Sequence, residues 1–279
     1  MGKIEKAYNR AMNDMNIHTI TKEGYHLLSV RMDEGVDYIE RAQAYKTPTR
    51  ILDIYPDFWM LYLFDLPRGQ LSIHNGKNFV GMSGPKALYV PPYSLIDKHF
   101  APGWAQWRAY SCFRPPAPHF PKHPVCFSWD KNWRVYGFSD ISEIFKKDLN
   151  LHPVGRTQIA PPIVDRTCDA IKETYKEALS IEALAKLLGV PHSSMTHAFK
   201  YSLGLSPIAY RNRVRVFDSL RQISLGESVT QSCRESGFAD YSRFYRNFSE
   251  ILDVSPSDFA RRRGFYRGED VSLKDFRAS

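Results

Sequence analysis

Between Asp240 and Ile251 the chain sets Tyr241, Ser242, Arg243, Tyr245, Arg246 and Asn247 around two phenylalanines, Phe244 and Phe248. At helical spacing the two rings share the buried stripe, and the hydrogen-bonding side chains form the outer face. Such a face can recognise a polar partner, but it holds no nucleophile paired with a base. The rest of the chain supplies no catalytic signature either: no P-loop, GxGxxG, GxSxG or HExxH is present. His119 and His123 flank Phe-Pro-Lys without a third ligand nearby, and His74 and His99 lack the close His-x-His spacing of a metal cupin. Cys112, Cys126, Cys168 and Cys233 form no CxxC pair and read as reduced, buried thiols. No cofactor or metal is called for.

The elements around this face form a repeated grammar. Val229 to Ser236 is a short helical stretch closed by Gly237-Phe238, after which Asp240 or Tyr241 opens the polar-faced helix. Upstream, Ile181, Leu184, Ala185 and Leu188 make an amphipathic stripe ended by Gly189, and Val190-Pro191 leads into a helix through Met195 and Phe199. Ser206-Pro207 and Ser255-Pro256 each start a further helix, Ser as cap and Pro as the preset first turn. In both units the Pro follows the last core Phe (Phe199, Phe248) by eight residues. The result is two helix-turn-helix units about fifty residues apart, joined by one long helix from Pro207 to Ile223.

With Leu184-Ala185, Leu188-Gly189-Val190, Phe199-Lys200, Gly204-Leu205-Ser206-Pro207, Tyr210, Arg215, Gly237-Phe238, Ser242, Phe244, Phe248, Ser255-Pro256 and Phe259, the segment resembles the DNA-binding domain of AraC/XylS-family bacterial transcription regulators. The resemblance covers roughly Pro161 to Arg263. The sequence departs from the family pattern at Pro191 (usually a Ser cap), His197 (commonly Arg), Ser232 (Ile or Val) and Asp253 (Gly). The resemblance implies base contacts from Ser193, Thr196 and His197 in the first unit and from Ser242, Arg243 and Arg246 in the second. It implies phosphate contacts from Lys200, Tyr241 and Tyr245. Arg246 carries the most weight, because a bidentate Arg–guanine contact is worth about 1–3 kcal/mol of discrimination. The implied partner is double-stranded promoter DNA, with RNA polymerase, a small-molecule effector and a weak homodimer as further partners, and activation is the usual outcome.

The net charge of +8 favours an anionic partner. That charge is not concentrated in the second half: from residue 161 onward, 18 Lys and Arg stand against 15 Asp and Glu. Local placement matters more, as in Lys200, Arg211, Arg213, Arg215 and Arg221 against the lone Asp218 between Pro191 and Ile223. A solvated helix face and a phosphate footprint are both open readings of that run. No stretch approaches the ~20 apolar residues of a membrane span, and the first ten residues are charged. A soluble, cytoplasmic protein is expected.

From Arg50 onward, short runs rich in aromatic and β-branched residues alternate with Pro and Gly, and Asn75-Gly76 reads as a hairpin turn. The order of strands and turns from Leu71 to Phe100 resembles the cupin-like jelly-roll sensor domain that precedes many AraC-type DNA-binding domains. The expected fold is therefore α+β: an N-terminal cupin-like β-barrel or jelly roll followed by an all-α double helix-turn-helix domain. The expected organisation is a sensor domain with an N-terminal arm over 1–125, a connector with one short helix over 126–160, the DNA-binding domain over 161–263 and a tail over 264–279. Further short strands are expected over Val125 to Trp129 and Trp133 to Phe138. His74, Tyr89, His99, Trp104, Trp107 and Tyr110 fall on barrel strands or loops and read either as core or as an effector pocket. Two functions follow: an effector-controlled transcription regulator or, in a different class, a cupin-fold metalloenzyme with a helical accessory domain.

Overall fold

The aromatic and β-branched runs become strands of two antiparallel sheets, and the described residues from 162 onward form helices joined by short turns. The computed structural model describes residues 17–22, 25–56, 58–74, 78–112, 114, 116–154, 161–252 and 255–265. The strands are β1 (Ile17–Lys22), β2 (Tyr25–Arg31), β3 (Val36–Tyr45), β4 (Thr49–Ile54), β5 (Trp59–Leu66), β6 (Leu71–His74), β7 (Phe79–Gly81), β8 (Gly84–Val90), β9 (Leu95–Phe100), β10 (Gly103–Cys112), β11 (Val125–Ser128) and β12 (His152–Pro153). Eight of them form one sheet in the order β1-β2-β3-β10-β5-β8-β11-β12, and four form the other, β4-β9-β6-β7. This is the double-sheet form of the expected β domain. The Asn75-Gly76 turn, the first sixteen residues and the last fourteen lie outside the described residues.

The alternation along the strands decides where the cores sit. In β5, Met60, Tyr62, Phe64 and Leu66 point into the space between the sheets, against Leu71, Ile73, Ile96 and Phe100 of the smaller sheet. Trp59, Leu61 and Leu63 point the other way, into a second core with Tyr89, Tyr110 and Cys112. That core is roofed by Phe120, Val135 and a helix, α1 (Phe138–Phe145), through Ile141, Ile144 and Phe145. A strand buried on both faces reads as a continuous apolar run, which is why residues 59–64 show no polar alternation.

One expectation changes here. Trp133 to Phe138 is not a strand: the Asp140 carboxylate accepts from the Tyr136 and Gly137 backbone N–H groups at 2.7 and 3.2 Å, which starts α1 at Phe138. Val125–Ser128 pairs with β8 and His152–Pro153 pairs with it in turn, so the stretch after 125 completes the larger sheet around the helix.

The helical half comprises α2 (Pro162–Thr174), α3 (Ile181–Leu187), α4 (His192–Leu203), α5 (Pro207–Leu225), α6 (Val229–Glu235), α7 (Tyr241–Leu252) and α8 (Pro256–Phe265). Helix α5 has 19 residues and packs against the β domain and both helix-turn-helix units. Its Phe217 enters the inter-sheet core, its Val214 joins the core of the first helix-turn-helix unit, and its Val216 and Ile223 join that of the second. Among the described residues no helix is long and apolar enough to cross a membrane.

Candidate nucleic-acid interface

Each unit is set by local chemistry. In the first, Ser180 caps α3 by accepting from the Ala183 N–H at 3.0 Å. Gly189 adopts a positive φ of 68° to make the turn. Helix α4 then starts after Pro191 with no side-chain cap, the direct consequence of Pro at that position. Met195 and Phe199 bury the inner stripe of α4. Ser193, His197 and Lys200 are exposed and Thr196 is half-buried, its hydroxyl 3.4 Å from His192 Nε2.

In the second unit Ser228 caps α6, accepting from Gln231 N–H at 3.2 Å. The turn at Gly237 (φ +88°) is tight: a Cβ there would stand 2.7 Å from the backbone of Lys176. The Asp240 carboxylate accepts from Ser242 N–H at 2.9 Å and Arg243 N–H at 3.3 Å, starting α7. Phe244 and Phe248 are fully buried, while Tyr241, Ser242, Arg243, Tyr245 and Arg246 are exposed. Asn247 differs from the outer-face reading. It is half-buried, accepts from Asn212 Nδ2 at 3.0 Å and donates to the Arg243 carbonyl at 2.8 Å, which locks α7 to α5. Ser232, standing where the family carries Ile or Val, is fully buried and its hydroxyl finds no partner.

The long joining helix is held from several sides. Asp218, solitary in the sequence reading, is fully buried and takes Arg221 at 3.0 Å, Gln222 Nε2 at 3.1 Å and Lys176 at 3.3 Å. Arg215 donates to the Glu177 carbonyl at 2.8 Å and to that of Tyr175, beside the C-terminus of α2. Burial first, and then the neighbouring Arg211 and Arg243, bring the Arg215 guanidinium down to about 10.

The six aromatic and histidine residues of the β domain do not line one cavity. Trp107 alone sits between the sheets, edge-on to Tyr62 at 5.3 Å. Tyr89 and Tyr110 belong to the second core, on the opposite face of the larger sheet. Trp104 is 54% exposed. His74 and His99 lie on the outer face of the smaller sheet, because cross-strand pairing puts Arg50 beside His99 and the alternation carries Asp97 to the same face. There His99 Nε2 and His74 Nδ1 stand 2.9 and 3.5 Å from the Asp97 carboxylate, and Arg50 forks onto both its oxygens at 2.8 Å. Among the described residues no group of three or more His, Cys, Asp or Glu is arranged to hold a metal ion.

Sequence reasoning missed a buried polar cluster between the sheets. Lys98 Nζ lies 2.5 Å from Asp53 Oδ2 and 4.8 Å from the centre of the Tyr62 ring. Tyr55 donates to Asp53 at 2.6 Å and its hydroxyl meets that of Tyr62. Desolvation works against the Lys98 ammonium, but Asp53 and Tyr62 outweigh it and hold its pKa above the ordinary lysine value. The available signal was Asp97-Lys98 inside an apolar strand run: adjacent strand residues face opposite sides, so one of the two charges had to point inward.

Residues 184–262 match the family model described as a helix-turn-helix domain. The C-terminal part of the chain thus carries a helix-turn-helix domain, with two units on one joining helix. The transcriptional regulatory protein HptR of Staphylococcus aureus is 27% identical over 99 residues, which are 36% of this chain and 39% of that protein. The match therefore spans about two-fifths of the length of that relative. Over most of its length the chain shares its fold with ToxT of Vibrio cholerae: TM-score 0.52 at 12% identity, covering 82% of this chain and 99% of the other. A second ToxT structure, from strain O395 and bound to (E)-4-(8-methylnaphthalen-1-yl)but-3-enoic acid, gives TM-score 0.52 at 11% identity over 82% and 100% of the two chains.

Proposed function

We propose that the chain is a sequence-specific DNA-binding transcription regulator whose β domain controls the helical domain through α5. The observation that carries this reading is the outward display of the polar faces of α4 and α7 on one helix. Helix α5 is about 28 Å long at 1.5 Å per residue, of the order of the ~34 Å between successive major-groove segments on one side of a duplex. In this reading Ser193, Thr196, His197, Ser242, Arg243 and Arg246 address base edges. Lys200, Tyr241 and Tyr245 address phosphates, which position without specifying.

Control has a physical route. The β domain touches the joining helix directly: Tyr210 of α5 donates to the Tyr93 carbonyl at 3.2 Å, and Ile251 and Leu252 of α7 pack against the inter-sheet core. A ligand or partner that binds one docking arrangement better than another shifts the population of chains able to engage both grooves. The ToxT structure with a bound but-3-enoic acid derivative makes an acidic, largely apolar molecule a reasonable first effector class to screen. Contact with RNA polymerase, weak self-association, an activating sign, residence in the cytoplasm and the division at residues 125, 160 and 263 belong to the same reading. A genome-wide footprint of the full chain tests it. Discrete sites, each covering two neighbouring major-groove segments, are expected, and uniform coverage without preferred sequence refutes the regulator.

A further inference from the structure

Three arginines converge where the two helix-turn-helix units face each other. An open cleft of about 620 Å³ is lined by His192 and Thr196 of α4, Ser206 and Arg211 at the start of α5, Arg215 further along it, and Arg243 of α7. Arg211 and Arg215 are more than nine-tenths buried, at 7% and 8% exposure, whereas Arg243 is exposed. Glu177, Glu182 and Asp240 also line the cleft, but among the described residues no carboxylate lies in ion-pair contact with any of the three: Arg211 donates to the Leu179 carbonyl and Arg215 to those of Tyr175 and Glu177. The Nε of Arg211 has no hydrogen-bond partner at all. Asp240, just before α7, is occupied in capping that helix, and Glu182 favours the Arg211 charge only from the exposed rim. Burial first, and then the neighbouring arginines, disfavour the charges of Arg211 and Arg215. Helix α4 also reaches the cleft at His192 without a side-chain cap, and the first backbone N–H groups of a helix have no partner within it.

Buried guanidinium charges without a carboxylate in direct contact are costly, and an oxyanion offsets that cost through short charge-assisted hydrogen bonds. We propose that this cleft is a binding site for one phosphate group, held by Arg211, Arg215 and Arg243 between the two recognition helices. Two sources offer that chemistry. One is the duplex strand that runs between the two major-groove segments, and this source rests on the DNA-binding reading above. The other is a free phosphorylated compound, which would set the relative placement of α4 and α7 without DNA.

The test uses the full chain and inorganic phosphate. Thermal melts are compared in phosphate and in chloride at equal ionic strength and pH, for the parent and for Arg243→Gln, which changes an exposed side chain and spares the fold. The expected result is a saturable rise in Tm with phosphate that is reduced at least twofold in Arg243→Gln. A rise that is equal in both proteins, or absent from both, overturns the site, since an excluded salt stabilises any fold alike. The source is read from duplex binding. If the duplex supplies the phosphate, inorganic phosphate competes with DNA and Arg243→Gln lowers the salt slope of binding by about 0.9. If a free compound is the occupant, duplex and phosphate bind together without competition. Because the melts contain no DNA, failure to bind any duplex leaves the phosphate result standing, and loss of the phosphate effect leaves the regulator reading standing.

Discussion

Phe217 of the joining helix meets Tyr55 of the β domain edge-on, with ring centroids 5.2 Å apart. Tyr55 in turn donates to Asp53, the partner of Lys98. The helix that spaces the two helix-turn-helix units thus closes over a charged pair inside the sheet sandwich, and the two halves share packing through these residues.

Phe217 is 5% exposed and belongs to the inter-sheet core although it lies on a helix of the other half. Phe217→Ala is expected to destabilise the chain by about 3–5 kcal/mol, the usual cost of a Phe-sized cavity. Urea unfolding checks it: the β domain and helical domain lose stability together, and a variant in which only one transition moves contradicts a shared core.

Gly237 has both a positive φ and the Lys176 backbone against it. Gly237→Ala is expected to cost about 1–2 kcal/mol for the left-handed backbone alone, with a further penalty for the contact. A lowered Tm accompanied by weaker duplex binding is the expected outcome, because the same turn sets the start of α7. A Tm within error of the parent contradicts the close approach.

Lys98→Met leaves Asp53 buried without its cation and is expected to cost about 3–5 kcal/mol. Pairing it with Asp53→Leu is expected to recover much of that loss, since an apolar pair avoids the desolvation of both charges. The pair also carries a pH dependence. The folded-state pKa of Lys98 is raised, so its stabilisation is complete below about pH 10.4 and is lost as pH rises above that value through the folded pKa. Urea titrations across the alkaline range are expected to show a shallower decline in the double variant, and identical slopes refute the pairing.

Asp97 behaves in the opposite sense. Burial raises its pKa, but Arg50 first, then His99 and His74, bring it below the ordinary aspartate value. Its contribution is present above about pH 3.9 and is lost as pH falls through the folded value. Asp97→Asn is expected to flatten the acid limb of the stability profile, and an unchanged limb contradicts the role of the Arg50 fork.

The helical half was legible because its signals are local. Caps, glycine turns and the Phe spacing act within one or two turns of helix, and α3 to α8 begin and end within a few residues of where Ser180, Gly189, Gly204, Ser206, Gly237 and Pro256 place them. The strands were legible as runs, but their faces were not. Whether Tyr89 looks between the sheets or away from them depends on register against β5 and β11, which residues near Tyr89 in sequence do not specify. The same holds for β3, which is fixed by ten pairs with β10, some sixty residues later. The arginine cleft needed the helices to be packed first. Arg211 and Arg215 read as a basic face on one helix, and Arg243 arrives from a separate unit.

The central claim is that the exposed faces of α4 and α7 read duplex DNA together, and Arg246 of α7 is where it can be tested most directly. Gel-shift titration of the parent chain and of Arg246→Ala, against a duplex recovered from the footprint, separates the outcomes. The account predicts binding at least about fivefold weaker for Arg246→Ala, from the loss of a contact worth about 1–3 kcal/mol, with preference for guanine at one position relaxed. Equal affinity and an unchanged base preference would contradict it.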